Sequence, residues 1–293
     1  MANYPEWLHV LAWLYLGVSF LCALIITVHE LSRPQKMMVM NFVWPITALY
    51  FGLVGLWGYF HSGFKFTSQH QEEMQREIET ELRREQTTGF REMPRDSGKT
   101  GPTREQIAIA ASHCGAGCTL GDIVGEWWIF GLGLVIAGGE LGTRLLLDFL
   151  LAWAFGVAFQ YFTIVPMRGL SFGKGLVAAI RADILSIVAF QAGMSIWAVL
   201  TYFVFFPNPH LKVNEAVFWF MMQVGMIIGF GTSYGVNSFL IEKGWKERMP
   251  QYKHEKDART QDSTTTSRVA SLKTEERPGS HRISRIARQL HIS

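Results

Sequence analysis

Residues Trp7–Val28 read WLHVLAWLYLGVSFLCALIITV and contain no Asp, Glu, Lys or Arg. About 20 apolar residues in a helix cross roughly 30 Å of hydrocarbon, so this stretch predicts a membrane-spanning helix. In lipid only helices and closed barrels satisfy every backbone group, and the sequence lacks the alternating strand pattern of a barrel. No basic residue precedes the stretch and no small-residue cleavage site follows it, so we expect it to remain in the protein.

Apolar residues make up 49% of the 293-residue chain, which has a mean hydropathy of +0.15. They are concentrated in a few long runs, which is typical of polytopic membrane proteins rather than of soluble domains. Six segments are long enough to cross a membrane: Trp7–Val28, Met38–Phe60, Thr119–Gly138, Leu145–Pro166, Ile184–Phe206 and Val213–Leu240. We therefore predict an all-α, polytopic membrane helical bundle of about six transmembrane helices.

Lys and Arg are distributed unevenly between the two sides that six spans define. The side that holds the N-terminus carries 23 of the 27, and the other side carries 4. Because basic residues accumulate on the cytoplasmic side of membrane proteins, the count predicts that both termini are cytoplasmic. The expected location is the plasma membrane, with the lipid bilayer as the main partner.

Composition divides the chain into four regions. A two-span hairpin occupies 1–65, a hydrophilic linker 66–106, a four-span membrane domain 107–243 and a basic tail 244–293. The linker is predicted to be partly helical and partly disordered, and the tail mostly disordered, because both are polar and rich in turn formers. The tail lacks interleaved aromatic residues, so nucleic acid is not expected as a partner.

The segment His113–Asp122, HCGAGCTLGD, brings reactive side chains to the mouth of the third span. Cys114, Cys118, Asp122 and Glu126 follow one another at intervals of four, so a helix places them on one sloping face in steps of about 6 Å. An acid inside the bilayer costs roughly 2.5–3.5 kcal/mol, so Asp122 and Glu126 should face the bundle interior. The pattern predicts an ion or proton path, or else a bundle joined by interhelical hydrogen bonds.

Three interpretations of His113, Cys114 and Cys118 stay open. Thiolate and imidazole select soft metals, which predicts a copper or zinc site at the cytoplasmic mouth. A thiol pair can also take part in redox exchange, although CxxxC is a less typical spacing than CxxC. Finally, cysteine packs as a small hydrophobe, so the segment is also compatible with a close-packed helix entry.

The sixth span contains a second pair of soft ligands, Met222 and Met226, which lie four residues apart. Paired thioethers bind copper(I), although methionine more often fills cores. Glycines at four-residue spacing allow another helix to approach closely, and that helix can belong to this chain, to a second copy of it or to another membrane protein. They are Gly117, Gly121, Gly125, Gly225 and Gly229.

Five stretches resemble a family of bacterial and archaeal membrane proteins known as domain of unknown function 4396. They are QKMMVMNFVWPITALYFG, SHCGAGCTLGDIVGEW, GVAFQYFTIVPMRGLSFGKGL, ADILSIVAFQAGM and FWFMMQVGMIIGFGTSYGVNSFLIEKG. The resemblance covers most of the membrane part and excludes the linker and the tail. It implies a polytopic helical fold and no established activity. Members often have proline where this chain has Gly235.

The leading hypothesis is an integral membrane permease, or metal-handling protein, for a soft cation such as copper(I). The thiols and His113 would capture the ion, Asp122 and Glu126 would pass on the ion or a counter-proton, and the methionines would form a further station. One alternative is a membrane thiol oxidoreductase that uses Cys114 and Cys118, and another is a non-catalytic scaffold. The pattern fits a carrier better than an enzyme, and no catalytic residue is assigned.

Overall fold

The computed structural model describes residues 4–64, 67, 68, 72, 76, 102–136, 139–168, 171–243 and 246. The all-α prediction is confirmed, since the described secondary-structure elements are helices. Among the described residues, β pairing is limited to the isolated bridge between Gln35 and Thr67. In chain order the helices are α1 (Glu6–Ser32), α2 (Met40–Phe51), α3 (Leu53–Gly58), α4 (Arg104–Leu132), α5 (Glu140–Arg168), α6 (Phe172–Leu200) and α7 (Ala216–Glu242). Short π-helical turns, Tyr59–Gly63 and Thr201–Phe205, follow α3 and α6.

Five of the described helices are long and apolar enough to cross a membrane, by length and composition. The qualifying segments are Glu6–Ser32, Arg104–Leu132, Glu140–Thr163, Asp183–Phe205 and Ala216–Glu242. Large apolar side chains, among them Trp13, Phe20 and Leu150, are exposed on the outer surface of these helices. Such a surface is what contact with lipid requires, so the fold is consistent with a polytopic membrane protein.

The second apolar segment, Met38–Phe60, is not one continuous helix, so the predicted count of six spanning helices is replaced by five. The chain reverses at Gly52, whose φ of +54° is a conformation that glycine adopts without steric cost. Pro45 lies within α2 and does not mark the break. Beyond the turn α3 packs closely against α2. A Cβ on Gly55 would lie only 2.8 Å from the Cα of Ala48.

The hairpin of α2 and α3 ends beside the loop from which it starts. The side-chain amide of Gln35 donates to the carbonyl of Gly63 at 3.2 Å, and the N–H of Ser68 donates to the carbonyl of Pro34 at 2.9 Å. The tip of the hairpin, Gly52, lies beside Ser19, which is near the middle of α1. The segment therefore enters the bundle halfway and leaves at the same end, as a re-entrant helical hairpin.

Polar side chains from other helices satisfy the carbonyls that the break leaves free. The last carbonyls of a helix have no partner within it and are costly to bury unpaired in an apolar region. The Tyr15 hydroxyl donates to the carbonyl of Tyr50 at 2.9 Å, and the Gln223 amide donates to the carbonyl of Leu49 at 2.5 Å. The bundle thus tolerates a helix end at this depth because α1 and α7 supply its hydrogen bonds.

The contacts of α1 establish which connections share an end of the bundle. At its start, the ring of Tyr4 contacts the ring of Phe206, which follows α6. Towards its other end, Ile26 shares an apolar cluster with Ile107 at the start of α4 and Ile241 at the end of α7. The connection between α6 and α7 and the loop after α1 therefore lie at opposite ends.

The helix α4 is the central element of the bundle. In its most apolar window 78% of residues are buried, against 28% to 50% in the other four spanning segments. It begins with a capping box, in which Thr103 and Gln106 exchange side-chain and backbone hydrogen bonds. Residues 107–118 are accordingly the first half of one continuous helix, which starts before the predicted third span.

Small residues on α4 bring α5 into close contact. A Cβ on Gly117 would lie 2.8 Å from the Cα of Gly156, and one on Gly121 would overlap the backbone of Ala152. On α7, Gly225 faces the ring of Trp197, and a Cβ on Gly229 would lie 2.7 Å from the carbonyl oxygen of Phe190. These four glycines therefore face neighbouring helices of the same chain.

Substitution of Gly121 by leucine is expected to destabilise the bundle by about 3 kcal/mol or more, since backbone rather than a flexible side chain stands in the way. Thermal unfolding of the purified protein in detergent measures the loss. The matched control is Gly131→Leu on the same helix, where a Cβ meets nothing within 4 Å. Equal unfolding midpoints for the two variants would show that the contact with α5 does not hold the helices together.

Candidate functional site

The chemically reactive residues of α4 lie in the interior of the bundle. His113, Cys114, Cys118, Asp122 and Glu126, which we call the α4 line, are each at most 2% exposed. From His113 to Glu126 the helix rises by about 20 Å, which is most of the roughly 30 Å of a hydrocarbon core. The line thus offers polar groups at successive depths along one helix.

Three acids of adjacent helices form a cluster, called the acid cluster, of Asp122, Glu126 and Asp148. The side-chain amide of Gln191 donates to Oδ1 of Asp122 at 2.9 Å. Asp148 on α5 interacts electrostatically with both acids of α4. A Cβ on Gly125 would overlap Oδ1 of Asp148, so a glycine is needed where this carboxyl meets α4.

The guanidinium of Arg144 is the positive partner of this cluster. Its Nε lies 3.4 Å from Oε2 of Glu126, and its Nη2 lies 2.9 Å from Oε1 of Glu140. Oδ2 of Asp122 and Oδ1 of Asp148 have no hydrogen-bond partner within the described part of the chain. This cluster of three buried acids thus has one guanidinium, 12% exposed, paired with it among the described residues, which leaves the site short of positive charge.

A cavity of about 60 Å³ adjoins the cluster between α4, α5, α6 and α7. Glu126, Arg144, Asp148 and Gln191 line it on the polar side. One water needs about 10–15 Å³ of such space, so about four waters fit. The remaining wall is mostly aromatic and apolar, and it includes Trp197, Tyr202, Phe218, Met194 and Met221.

A second buried ion pair lies about 12 residues into α6. Nζ of Lys246 is 2.6 Å from Oδ1 of Asp183, and it also donates to the hydroxyl of Ser186 at 3.2 Å. Lys246 is 4% exposed, and the rest of the predicted tail, 244, 245 and 247–293, lies outside the described part. The predicted linker is described only at 67, 68, 72, 76 and 102–106.

The ring of His113 has a defined hydrogen-bonding role. Its Nε2 lies 2.9 Å from Oγ1 of Thr163, and the Thr163 hydroxyl donates to the carbonyl of Phe159 at 3.0 Å. Since a carbonyl only accepts, the single hydroxyl hydrogen is committed there, and His113 Nε2 must carry the hydrogen of its own bond. Nδ1, which has no partner among the described residues, is left to accept a proton or coordinate an ion.

Both thiols of the α4 line are free and fully buried, and Cys118 interacts with Cys114. Met222 and Met226 belong to the same apolar cluster as these thiols. In the described residues, no three His, Cys, Asp or Glu side chains are placed to hold one metal ion. The copper or zinc site, with the methionine station, therefore stays a prediction from sequence.

Sequence reasoning missed Tyr50, which the re-entrant hairpin brings to the centre of the bundle. Its hydroxyl faces α4, since a Cβ on Gly115 would lie 2.8 Å from that oxygen. Electrostatic interactions also link Tyr50 to Cys114 and Cys118. The sequence gives little indication of this contact, because an uninterrupted second span would place Tyr50 elsewhere.

Residues 103–246, about half of the chain, match the family described as Domain of unknown function (DUF4396). This part of the chain is a DUF4396 domain. The match begins at Thr103, the N-cap of α4, and ends at Lys246, the ion-pair partner of Asp183. Residues 35–52, the first stretch of the resemblance, lie outside it. No curated protein and no solved structure matches the chain.

The DUF4396 domain is the later part of a compact unit that starts before the match. It comprises α4 to α7, and it contains the α4 line, the acid cluster and both buried ion pairs. α1 and the re-entrant hairpin pack against it from outside the match. The α4 line and the acid cluster therefore lie within the DUF4396 domain, and Tyr50 is a contribution from the preceding segment.

Proposed function

We propose that the protein is an integral membrane permease that moves a cation, with protons carried by the α4 line and the acid cluster. The observation that carries the proposal is the charge imbalance of the site. Asp122, Glu126 and Asp148 are at least 96% buried, and Arg144 is the one described Lys or Arg that lines the cavity beside Glu126 and Asp148. Acids of this kind within a membrane segment are costly, and they generally serve ion or proton movement.

The shortage of positive charge has a direct chemical consequence. A carboxylate in an apolar interior requires a proton, a metal ion or a cationic partner. Arg144 neutralises one acid and shares its charge with Glu140. The remaining acids are therefore suited to bind and release protons or a mobile cation, because each such event removes an electrostatic cost.

The spacing of the groups defines how a proton would travel. From Cys114 onward, successive members of the α4 line are separated by about 6 Å along the axis, which exceeds a hydrogen bond of about 3 Å. Water in the cavity beside Glu126 and Asp148 can bridge such gaps. Deeper in the bundle, the free Nδ1 of His113 and the two thiols supply further groups that exchange protons.

The soft-metal form of this proposal is a narrower hypothesis that rests on the chemistry of the donors. His113, Cys114, Cys118, Met222 and Met226 are ligand types that favour copper(I) or zinc. Elemental analysis of the purified protein tests it, with Cys114→Ser/Cys118→Ser as the comparison. A metal stoichiometry that is unchanged in this variant would rule out the thiols as ligands.

Proton movement is tested with the purified protein in sealed lipid vesicles that contain a pH-sensitive dye. A potassium diffusion potential, negative inside, drives protons inward. We expect faster acidification of the lumen than in protein-free vesicles, and slower acidification when the potential is abolished. Identical rates with and without protein would reject proton transport by this site.

A further inference from the structure

The cavity beside the acid cluster has a composition that a bare proton path does not require. Its acidic side is formed by Glu126 and Asp148, which are 2% and 4% exposed. The same cavity is also lined by the aromatic residues Trp197, Tyr202 and Phe218. Carboxylates that face aromatic rings are a recognised arrangement for organic cations, since both attract positive charge and the rings contact alkyl groups.

The guanidinium of Arg144 already makes the contacts that such a cation would make. Its Cζ lies 5.0 Å from the centroid of the Phe218 ring, while its nitrogens pair with Glu126 and Glu140. The side chain is 12% exposed, so it is held within the protein rather than extended into solvent. Arg144 therefore acts as a tethered organic cation in the site.

One acid of the site keeps an oxygen without a hydrogen-bond partner when Arg144 is in place. Asp148 lines the cavity, and its Oδ1, which lies against Gly125 of α4, has no hydrogen-bond partner among the described residues. The ring of Trp197 is held in place, because its N–H donates to the carbonyl of Met221 at 2.9 Å. A fixed aromatic wall and a buried, unpaired carboxylate oxygen are thus both available to a second cation.

We propose that this cavity binds a small organic cation, an alkylammonium or alkylguanidinium ion, and that Arg144 occupies the site until the cation displaces it. The inference rests on the proposed function, for which it names the substrate class. The ligand's charged group would bind Asp148 and Glu126, and its alkyl body would contact Phe218, Trp197 and Met194. A bare metal ion fits the site less well, because much of the wall is aromatic and apolar.

Direct binding to the full-length protein in detergent tests the inference without any transport step. The probe is methylguanidinium, which matches the end of the arginine side chain, and its binding is measured by equilibrium dialysis with sodium chloride at equal ionic strength as the control. We expect saturable binding to the wild type. If Arg144 holds the site in nine of ten molecules, Arg144→Gln tightens the apparent Kd about tenfold.

Three further variants complete the design. Arg144→Lys keeps a tethered cation and should bind the probe as the wild type does, whereas Asp148→Asn should weaken binding about tenfold, as expected for one lost charged contact. Glu6→Gln removes a carboxylate from an exposed position and should leave binding unchanged. Should Arg144→Gln fail to fold, the wild type and Asp148→Asn still decide the matter.

The inference is overturned if the wild type shows no saturable binding, or if Asp148→Asn binds the probe as tightly as the wild type. The inference is likewise overturned if sodium chloride at equal ionic strength abolishes the binding of methylguanidinium, because the attraction would then be a general effect of charge. Proton entry into vesicles is measured separately. A protein that conducts protons and does not bind methylguanidinium would retain the proposed function and lose only the substrate class.

Discussion

Cysteines introduced at positions 36 and 212 are expected to react with a membrane-impermeant maleimide from opposite sides of the membrane. Lys36 follows the end of α1, and Lys212 lies between α6 and α7, at the other end of the bundle. Both positions are exposed. A six-span topology places these two positions on the same side, so the experiment separates the two topologies directly.

The labelling is carried out on Lys36→Cys and Lys212→Cys in sealed vesicles of defined orientation, before and after permeabilisation. The parent protein is the control, because its own Cys22, Cys114 and Cys118 are at most 2% exposed and should stay unlabelled. Labelling of both variants from the same side would contradict the re-entrant hairpin. It would restore a sixth crossing by Met38–Phe60.

The distribution of charge gives the expected orientation. If the hairpin does not cross the membrane, 25 of the 27 Lys and Arg are expected on one side, and only Arg144 and Lys212 on the other. By the positive-inside rule the richer side is cytoplasmic. Lys36→Cys should therefore be labelled from the cytoplasmic side. The same reasoning predicts that the N-terminus lies on the outer side of the membrane, whereas the six-span pattern predicted that both termini are cytoplasmic.

Replacement of Lys246 by methionine is expected to destabilise the protein by about 3–5 kcal/mol, because it leaves the carboxylate of Asp183 buried without its cation. The double variant Asp183→Asn/Lys246→Met should recover much of this loss, since removal of both charges also removes the uncompensated one. The unfolding midpoint in detergent measures both effects. The non-additivity of the two substitutions gives their coupling energy.

The control for this experiment is Lys243→Met, three residues earlier in the chain. Lys243 is exposed and lies 5.8 Å from the centroid of the Phe239 ring, so its loss should cost less than about 1 kcal/mol. Equal destabilisation by the two methionine variants would contradict the account of a buried pair. So would a double variant as unstable as Lys246→Met alone.

The length of an apolar run predicts a helix, but not the direction in which the chain leaves it. Met38–Phe60 has the length of a span, and the reversal depends on one residue, Gly52, together with hydrogen bonds from Tyr15 and Gln223. These partners come from α1 and α7, far away in sequence. Hydropathy measures how apolar a segment is, and it does not depend on such long-range contacts. A hydropathy pattern therefore does not distinguish a re-entrant hairpin from a spanning helix.

The candidate site divides in the same way between local and long-range features. The four-residue spacing of Cys114, Cys118, Asp122 and Glu126 follows from sequence, since helical geometry alone sets it. Their partners do not, because Arg144 and Gln191 reach Glu126 and Asp122 from α5 and α6, and a charge at the edge of a predicted span resembles an ordinary flanking residue. Tertiary contacts of this kind require the fold, which sequence periodicity does not supply.

The central claim is that the buried acids of the DUF4396 domain carry protons, and the initial rate of proton entry into vesicles with Asp122→Asn tests it most directly. Asparagine keeps an oxygen that accepts the hydrogen bond from Gln191, so the fold should persist, but it cannot take up and release a proton. The account predicts wild-type rates for Glu6→Gln and the rate of protein-free vesicles for Asp122→Asn. Proton entry at the wild-type rate in folded Asp122→Asn would contradict it.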